Sequence, residues 1–338
     1  MTVTVKDVAK KAGVATSTVS RVINDHPSIS DATKKRVMKV MEELGYVPNI
    51  AAQNLGKRKS NAIGVILPPL DSKERMGNPF FLEIIEAINE EALTHNLTTA
   101  VATATNYEKL LDNVKKMHSQ RQVDGFVLIY SDKDDPVIAY LCEKNIPFSL
   151  IGQPYRQEDN IVYVDNDNQL LGKHATDFLI ENGHQEILFI TNTIHENIFF
   201  ERYFGYQKSM MMNGLPHHQS LNLIKPEDYE AFGDMLAEKK YTAAVVIDDM
   251  FAVRVIQLVQ MYGYKVPEDF SVVSFNNSII ATMVHPYLTS MDISVQELGK
   301  LGLRQLVKSL GDEEASSLRM VIPHKLIRRE TVIDLNQV

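Results

Sequence analysis

The sequence predicts a small all-α head joined to a larger α/β body. Three observations carry that reading: apolar residues at helical spacing through the first 48 residues, short apolar runs alternating with amphipathic helices from Asn61 onward, and a charge balance that reverses between the two parts. Residues 1–60 hold 11 Lys and Arg against 5 Asp and Glu, whereas the remaining 278 residues hold 24 against 38. At 338 residues the chain exceeds what one core usually fills. Its 44 % hydrophobic and 23 % charged residues suit a globular chain rather than a disordered one. The apolar run from Ala62 to Leu70, broken by Pro68 and Pro69, is too short to span a bilayer, and the opening MTVTVKDVAKK lacks the apolar stretch of a secretory signal. A cytoplasmic location with no membrane partner is therefore expected. The single cysteine, Cys142, has no partner for an internal disulfide, and its apolar setting AYLCEKNIPF predicts a packed core residue.

Thr4 followed by Asp7 has the spacing of a capping box, after which Val5, Val8, Ala9 and Ala12 recur at helical spacing until Gly13. Beyond the Gly13-Val14 turn, ATSTVSRVIN turns Val19, Val22 and Ile23 inward and Thr16, Ser17, Arg21 and Asn24 outward. A third helix begins at Ser30, with Thr33 three residues on, and carries Val37, Val40, Met41 and Leu44 on one side before Gly45. Three short helices, a tight turn and a polar outward face predict a helix-turn-helix DNA-binding domain over residues 1–48. In such a module Thr16, Ser17 and Arg21 are suited to base edges, since hydroxyls can bond or touch a thymine methyl and a guanidinium can grip guanine with two hydrogen bonds. Asn24, Ser20 and the Lys34, Lys35, Arg36 cluster suit phosphates, which position without specifying sequence. A three-helix protein-binding domain is the competing reading. Charge on its own would equally fit a solvated helix face.

Residues 49–60 read as a short helix and linker. Asn49 can cap, and Ile50 to Leu55 make about two helical turns before Gly56, too few to be stable alone in water. Two copies meeting in a minor groove would let Leu55 wedge between base steps, with Lys57, Arg58 and Lys59 beside it. The same residues also read as a plain interdomain linker.

In the body IGVIL, TTAVAT, GFVLIY, PFSLIG, EILFIT, AAVVI and FSVVSF read as strands, followed by helical segments such as Phe81 to His95 and Leu170 to Asn182. Strands alternating with helices imply parallel sheets built by right-handed crossovers. No G-x-G-x-x-G, P-loop, G-x-S-x-G or H-E-x-x-H is found, so no catalytic residue and no cofactor are assigned. His195-Glu196 and His217-His218 lack the i, i+4 spacing of a helical metal pair, so no metal site is expected.

VKDVAKKAGVATSTVSRVIND followed by YVPNIAAQNL resembles the DNA-binding head and hinge of the LacI/GalR family of bacterial transcription repressors. NPFFLEIIEAI, VDGFVLI, IPFSLIG, YVDNDNQLLGKHATDFLIENGHQEILFIT, RYFGYQKSM, VPEDFSVVSF, HPYLTSM and LIRRET continue the similarity in order, from about residue 3 to 333. SKERMGNPFF and SFNNS look most like maltose-type regulators. The resemblance implies a DNA-contact set of Thr4, Thr16, Ser17, Thr18, Ser20, Arg21, Asn24, Ser30, Thr33, Tyr46, Asn49, Ala52 and Leu55. It also implies a periplasmic-binding-protein-like core of two parallel-sheet lobes over residues 61–338, with crossings near Val162, Met291 and Pro323. The lobes would then be 61–162 with 292–322, and 163–291 with 323–338.

A ligand would lie between the lobes at the carboxyl ends of the strands, where Phe80, Phe81, Tyr130, Asp165, Arg202, Asp248 and Asn276 fall. For the aromatics, core packing is an equal alternative. Three departures stand out: Ala15 replaces the usual capping Ser, Gly56 follows the wedge leucine, and Asn276 and Asn277 replace an aspartate that many relatives turn to a ligand hydroxyl. The expected protein is a homodimeric repressor of double-stranded operator DNA controlled by a maltose or malto-oligosaccharide-type sugar. With nine residues after Arg329, a tetramerising leucine-repeat tail is not expected. Some relatives answer to a phosphorylated carrier protein, for which no feature of this sequence speaks. A sugar-binding transport protein and a sugar-modifying enzyme are the alternatives; the first would lack the basic head, the second would need a catalytic constellation.

Overall fold

The computed structural model describes residues 3–23, 25–46, 60–70, 77–155, 161–193, 196–311 and 319–337. It divides into two units, residues 1–60 and 61–338. In the first, α1 (Val5–Ala12), α2 (Thr16–Ile23) and α3 (Asp31–Leu44) bring Val8, Ala9, Ala12, Val19, Val22, Val37, Val40 and Met41 into one small core. Asp7 reaches back from the first turn of α1, and its Oδ2 accepts from Thr4 N at 2.9 Å and from Thr4 Oγ1 at 2.7 Å. Gly13 takes a φ of 66° and returns its N–H to Ala9 O, a left-handed turn that costs glycine little and ends α1. Ala15 stands before α2 without a capping side chain; its carbonyl alone accepts from Thr18 N and Val19 N.

The second unit holds two six-stranded sheets. The first is built from β1 (Ala62–Ile66), α4 (Pro79–Thr94), β2 (Thr98–Ala102), α5 (Tyr107–Ser119), β3 (Gly125–Leu128), α6 (Pro136–Glu143), β4 (Phe148–Ile151) and β5 (Tyr163–Asn166). The second takes α7 (Asn168–Glu181), β6 (Ile187–Thr191), α8 (Asn197–Met212), β7 (Leu221–Asn222), α9 (Pro226–Ala237), β8 (Ala243–Val246), α10 (Asp249–Met261), β9 (Ser271–Phe275) and β10 (Thr289–Asp292). The chain then returns as α11 (Val295–Leu310) and β11 (Arg319–Ile322) to the first sheet, and ends on the second with β12 (Lys325–Ile327). Strand orders are β11-β5-β4-β3-β1-β2 and β12-β10-β9-β8-β6-β7. Every pairing is parallel except β10 with β12. β3, β6, β8 and β9 are buried along their whole length, as strands covered by helices on both faces must be.

Three expectations are corrected. Tyr163–Asn166 is a strand of the first sheet, pairing with both β4 and β11, so the first crossing follows Asn166 rather than Val162. Its YVDN pattern alternates polar and apolar residues and lacks the continuous apolar run that marked the other inner strands. Likewise Asp292 pairs with Lys325 in the second sheet, one residue beyond the expected return. Cys142 is exposed rather than packed, because it falls at the edge of the buried stripe of Val137, Ile138 and Leu141 on α6.

The three crossings are tied at one buried residue. Asn166 closes the first, and its Nδ2 donates to Ile293 O at 3.1 Å on the second and to Ile322 O at 3.0 Å on the third. Replacing this amide by an isosteric apolar group strands two buried carbonyls, each costing about 1–3 kcal/mol. Asn166→Leu is therefore expected to lower the unfolding free energy by about 2–4 kcal/mol in urea titrations. A loss below about 1 kcal/mol would mean that the carbonyls find other donors.

Candidate functional site

On the head, Thr16, Ser17, Ser20 and Arg21 are exposed along α2 and Thr18 is half-buried, while Val19 and Val22 between them are buried in the core. The side chains of Thr16, Ser17, Thr18 and Arg21 have no intramolecular hydrogen bond among the described residues, so their donors and acceptors are free for an outside partner. Other expected contacts are partly spent. Thr4 gives its hydroxyl to Asp7, Ser30 Oγ meets Thr33 Oγ1 at 3.0 Å, Lys34 pairs with Asp25, and Tyr46 packs half-buried against the head core. Lys35, Arg36 and Lys39 remain exposed on α3. Asn24, Asn49, Ala52 and Leu55 lie outside the described residues.

In the body, the strand orders reverse between β1 and β3 and between β6 and β8, and crevices form where helices leave such switch points on opposite faces. The segments that follow these strands supply a polar cleft. On the second lobe Arg202 is 2 % exposed; its Nε donates to Asn168 Oδ1 at 3.1 Å and its Nη1 to Ile247 O at 2.7 Å, with the guanidinium 4.3 Å from the Phe275 ring centroid. α7 and α8 touch so closely that a Cβ on Gly172 would lie 2.0 Å from Arg202 O, which fixes where the arginine enters. Arg202 forms no ion pair among the described residues; burial lowers its pKa to about 10, while Asp165, Asp248, Asp249 and Glu196 act to keep its charge.

Asp248 caps α10 by accepting from Phe251 N at 2.7 Å, and burial pushes its pKa up. Asp249 is buried and accepts from Ser274, Ser278 and Ser290, so its role is to bind β9, β10 and the turn between them. The two asparagines differ. Asn277 receives Arg329 Nη2 at 2.6 Å and donates to Asp292, whereas the side chain of Asn276, at a φ of 103°, has no hydrogen bond among the described residues. Asn276 is thus the one left open to a ligand.

On the first lobe, Asn78 caps α4 by accepting from Phe80 N; Phe81 is packed into the core and Phe80 lies half-buried against it. Tyr130 lies two residues beyond β3, and Asp165 sits within β5 rather than after a strand. Asp165 accepts from Gln153 N at 3.0 Å and from Asn168 Nδ2 at 3.1 Å. Three cleft groups escaped the sequence reading. Asn168, Tyr107 and Asp132 could have been found from their places at a helix start or just past a strand, the same signal that singled out Tyr130 and Asp248. Among the described residues no group of three or more His, Cys, Asp and Glu is placed to hold a metal ion.

The profile of bacterial regulatory proteins of the lacI family matches residues 4–49, and that of a periplasmic binding protein-like domain matches residues 176–332. The HTH-type transcriptional regulator MalR of Staphylococcus xylosus is 30 % identical over 99 % of this chain and 100 % of its own length. The chain belongs to the LacI family. Catabolite control protein A of Priestia megaterium is similar at 31 % identity, over 98 % of this chain and 99 % of its own. The transcriptional regulator CelR in complex with cellobiose matches at a TM-score of 0.73 and 27 % identity, over 97 % of this chain and 99 % of that one. The Lac repressor dimer bound to operator reaches 0.82 at 24 % identity, over 98 % and 100 %, a likeness of fold.

In this LacI-family regulator, burial pushes the Asp165 carboxyl up to about 6, against hydrogen bonds from Asn166 N and Gln153 N that favour its ionised form. The folded value lies above the 3.8 of an ordinary aspartate. Native protein therefore holds the proton more tightly, and the stability this confers below the lower value is lost as pH rises through the higher one. Asp165→Asn removes that dependence. Its unfolding free energy relative to the natural chain should rise between about pH 4 and pH 7 and then level off; a constant difference across that range would contradict the shift.

Proposed function

We propose that this regulator represses transcription by binding a near-palindromic operator as a homodimer, and that a maltose or malto-oligosaccharide-type sugar in the cleft controls that binding. The observation that carries the DNA half is the row of unbonded, exposed Thr16, Ser17 and Arg21 on a helix whose other face is anchored by Val19 and Val22. Hydroxyls and a guanidinium presented this way match the donor and acceptor pattern of a major groove. For the sugar half, support comes from a cleft that offers Arg202, Asp248 and the unbonded Asn276, and from relatives that include MalR and a CelR bound to cellobiose. Ile279, Met283 and Tyr287, exposed apolar side chains on the segment joining β9 to β10, support pairing with a second copy.

The deciding experiment is a mobility-shift titration on the region upstream of neighbouring sugar genes, repeated with a panel of oligosaccharides. Equal binding to promoter and random duplex at moderate salt, whatever sugar is added, would refute the proposal. Arg21→Ala should weaken operator binding by about 1–3 kcal/mol and relax sequence preference, whereas loss of affinity with preference unchanged would reassign Arg21 to a phosphate. Arg202→Ala should keep the operator affinity of the unliganded protein yet fail to respond to sugar; a normal response would move the ligand elsewhere. Because coupling between two sites is reciprocal, operator DNA should alter sugar affinity by the same factor that sugar alters operator affinity.

A further inference from the structure

Two histidines meet where the chain makes its last passage between the lobes. His324 lies between β11, which belongs to the first sheet, and β12, which belongs to the second, while His174 stands in the second turn of α7 on the second lobe. His174 Nδ1 and His324 Nε2 are 2.9 Å apart, and the ring centroids are 5.1 Å apart at 53°. The contact spans 150 positions of sequence and ties the crossing to a helix of the lobe it enters. His174 is exposed and His324 half-buried, so solvent protons reach the pair. Neither residue belongs to the cleft set described above.

A hydrogen bond between two imidazoles needs one ring nitrogen that carries a proton and one that is bare. Two neutral rings meet that condition. One added proton keeps it, with a charge-assisted bond. A second added proton leaves two N–H groups and two positive charges face to face, with no acceptor between them. Among the described residues no group of three or more His, Cys, Asp and Glu is placed to hold a metal ion, so a proton is what this pair can take up. The surrounding charges do not cancel the conflict. Burial, and then the charge of His174, hold the His324 pKa below the ordinary histidine value of 6.5; Asp167, which caps α7 by accepting from Leu170 N, works against them without reversing the shift. Lys173 beside His174 pairs with Asp177, Lys325 beside His324 reaches Asp292 at 3.9 Å, and Arg328 lies over the Phe178 ring.

We infer that His174 and His324 form a proton-operated latch, which fastens the third crossing to α7 at neutral pH and lets go in mild acid when the pair takes its second proton. Because the folded pKa of His324 lies below its unfolded value, the native chain binds fewer protons just below pH 6.5, and stability present above that value is lost as the pH falls. A crossing released in this way restrains the lobes less, so acidity biases the balance between their arrangements.

Hydrogen exchange of the backbone amides of β12 and α7, compared between the full natural chain and His174→Gln at each pH, tests the latch. Glutamine at this exposed position can still donate to the His324 ring but does not titrate. At about pH 7.5 the two chains should be protected alike, whereas at about pH 5.5 the natural chain should be about five- to tenfold less protected at Lys325–Ile327, the size expected when the folded state makes one protonation about tenfold less favourable. In histidine-ring NMR the His324 resonance should titrate at higher pH in His174→Gln, where the neighbouring charge is gone. His324→Gln repeats the exchange comparison from the other side of the contact, and thermal unfolding at about pH 7.5 reports that both variants fold. Equal protection of natural and variant chains at both pH values would overturn the latch, as would a His324 titration that does not move. Loss of protection in the variants at both pH values would also overturn it, since the contact would then be one of packing alone.

Discussion

The body of this protein depends on the hydrogen bonds of one buried amide. Asn166 ends the strand from which the chain first leaves the first lobe, and it bonds the backbone at the two later crossings. Both acceptors lie at residues that are themselves buried, so no water replaces the donor. An aspartate would bring two acceptors to two acceptors, and a leucine would bring nothing. From this point a polar line continues into the ligand wall. Asn166 N donates to Asp165 Oδ1, Asp165 accepts from Asn168, Asn168 accepts from Arg202, and Arg202 donates to Ile247 O at the end of β8. The crossings and the proposed ligand site therefore share one hydrogen-bonded network, in which the placement of each group constrains the next.

Arg202 shows what that network has to balance. A guanidinium removed from water is costly unless its donors are met. Here an amide oxygen, a backbone carbonyl and an aromatic face meet it, with four carboxylates acting on it from beyond hydrogen-bond contact. Those carboxylates in turn are raised by burial and left partly uncompensated, which keeps the cleft polar, acidic and receptive to groups that donate hydrogen bonds. A neutral polyhydroxyl ligand can donate to the acids and accept from the arginine without adding net charge, whereas a phosphate would gain one cation and face several anions.

Much of this was legible in the sequence, for identifiable reasons. The helices of the head were readable because Val8 with Ala12, Val19 with Val22, and Val37 with Val40 and Met41 lie at helical spacing, and Gly13 and Gly45 take the left-handed φ that ends a helix. The inner strands were readable because burial on both faces demands continuous apolar runs. β5, β7, β10, β11 and β12 were not marked out. They are short, and lie at sheet edges or next to crossings where polar residues such as Asp165 and Asn166 serve the site rather than the core. Site residues followed the same division. Asp248 and Asn276 were visible as polar groups at a helix start and a strand end, whereas Arg202 lies inside α8 rather than at either; Phe81 proved to be core, and the tie made by Asn166 joins residues 127 and 156 positions away.

What a ligand can do to such a molecule is bounded by the same contacts. A saccharide shifts the balance between two lobe arrangements only by the difference in its affinity for them, so residues that touch it equally in both arrangements contribute affinity but no signal. Arg202 and Asn276 stand on the second lobe and Asp165 on the first; under the proposed function, a ligand that engages both lobes would change its number of contacts if the lobes moved. If a saccharide binds there, its capacity to switch the protein rests on contacts it makes differently in the two arrangements of lobes whose three crossings are held by Asn166.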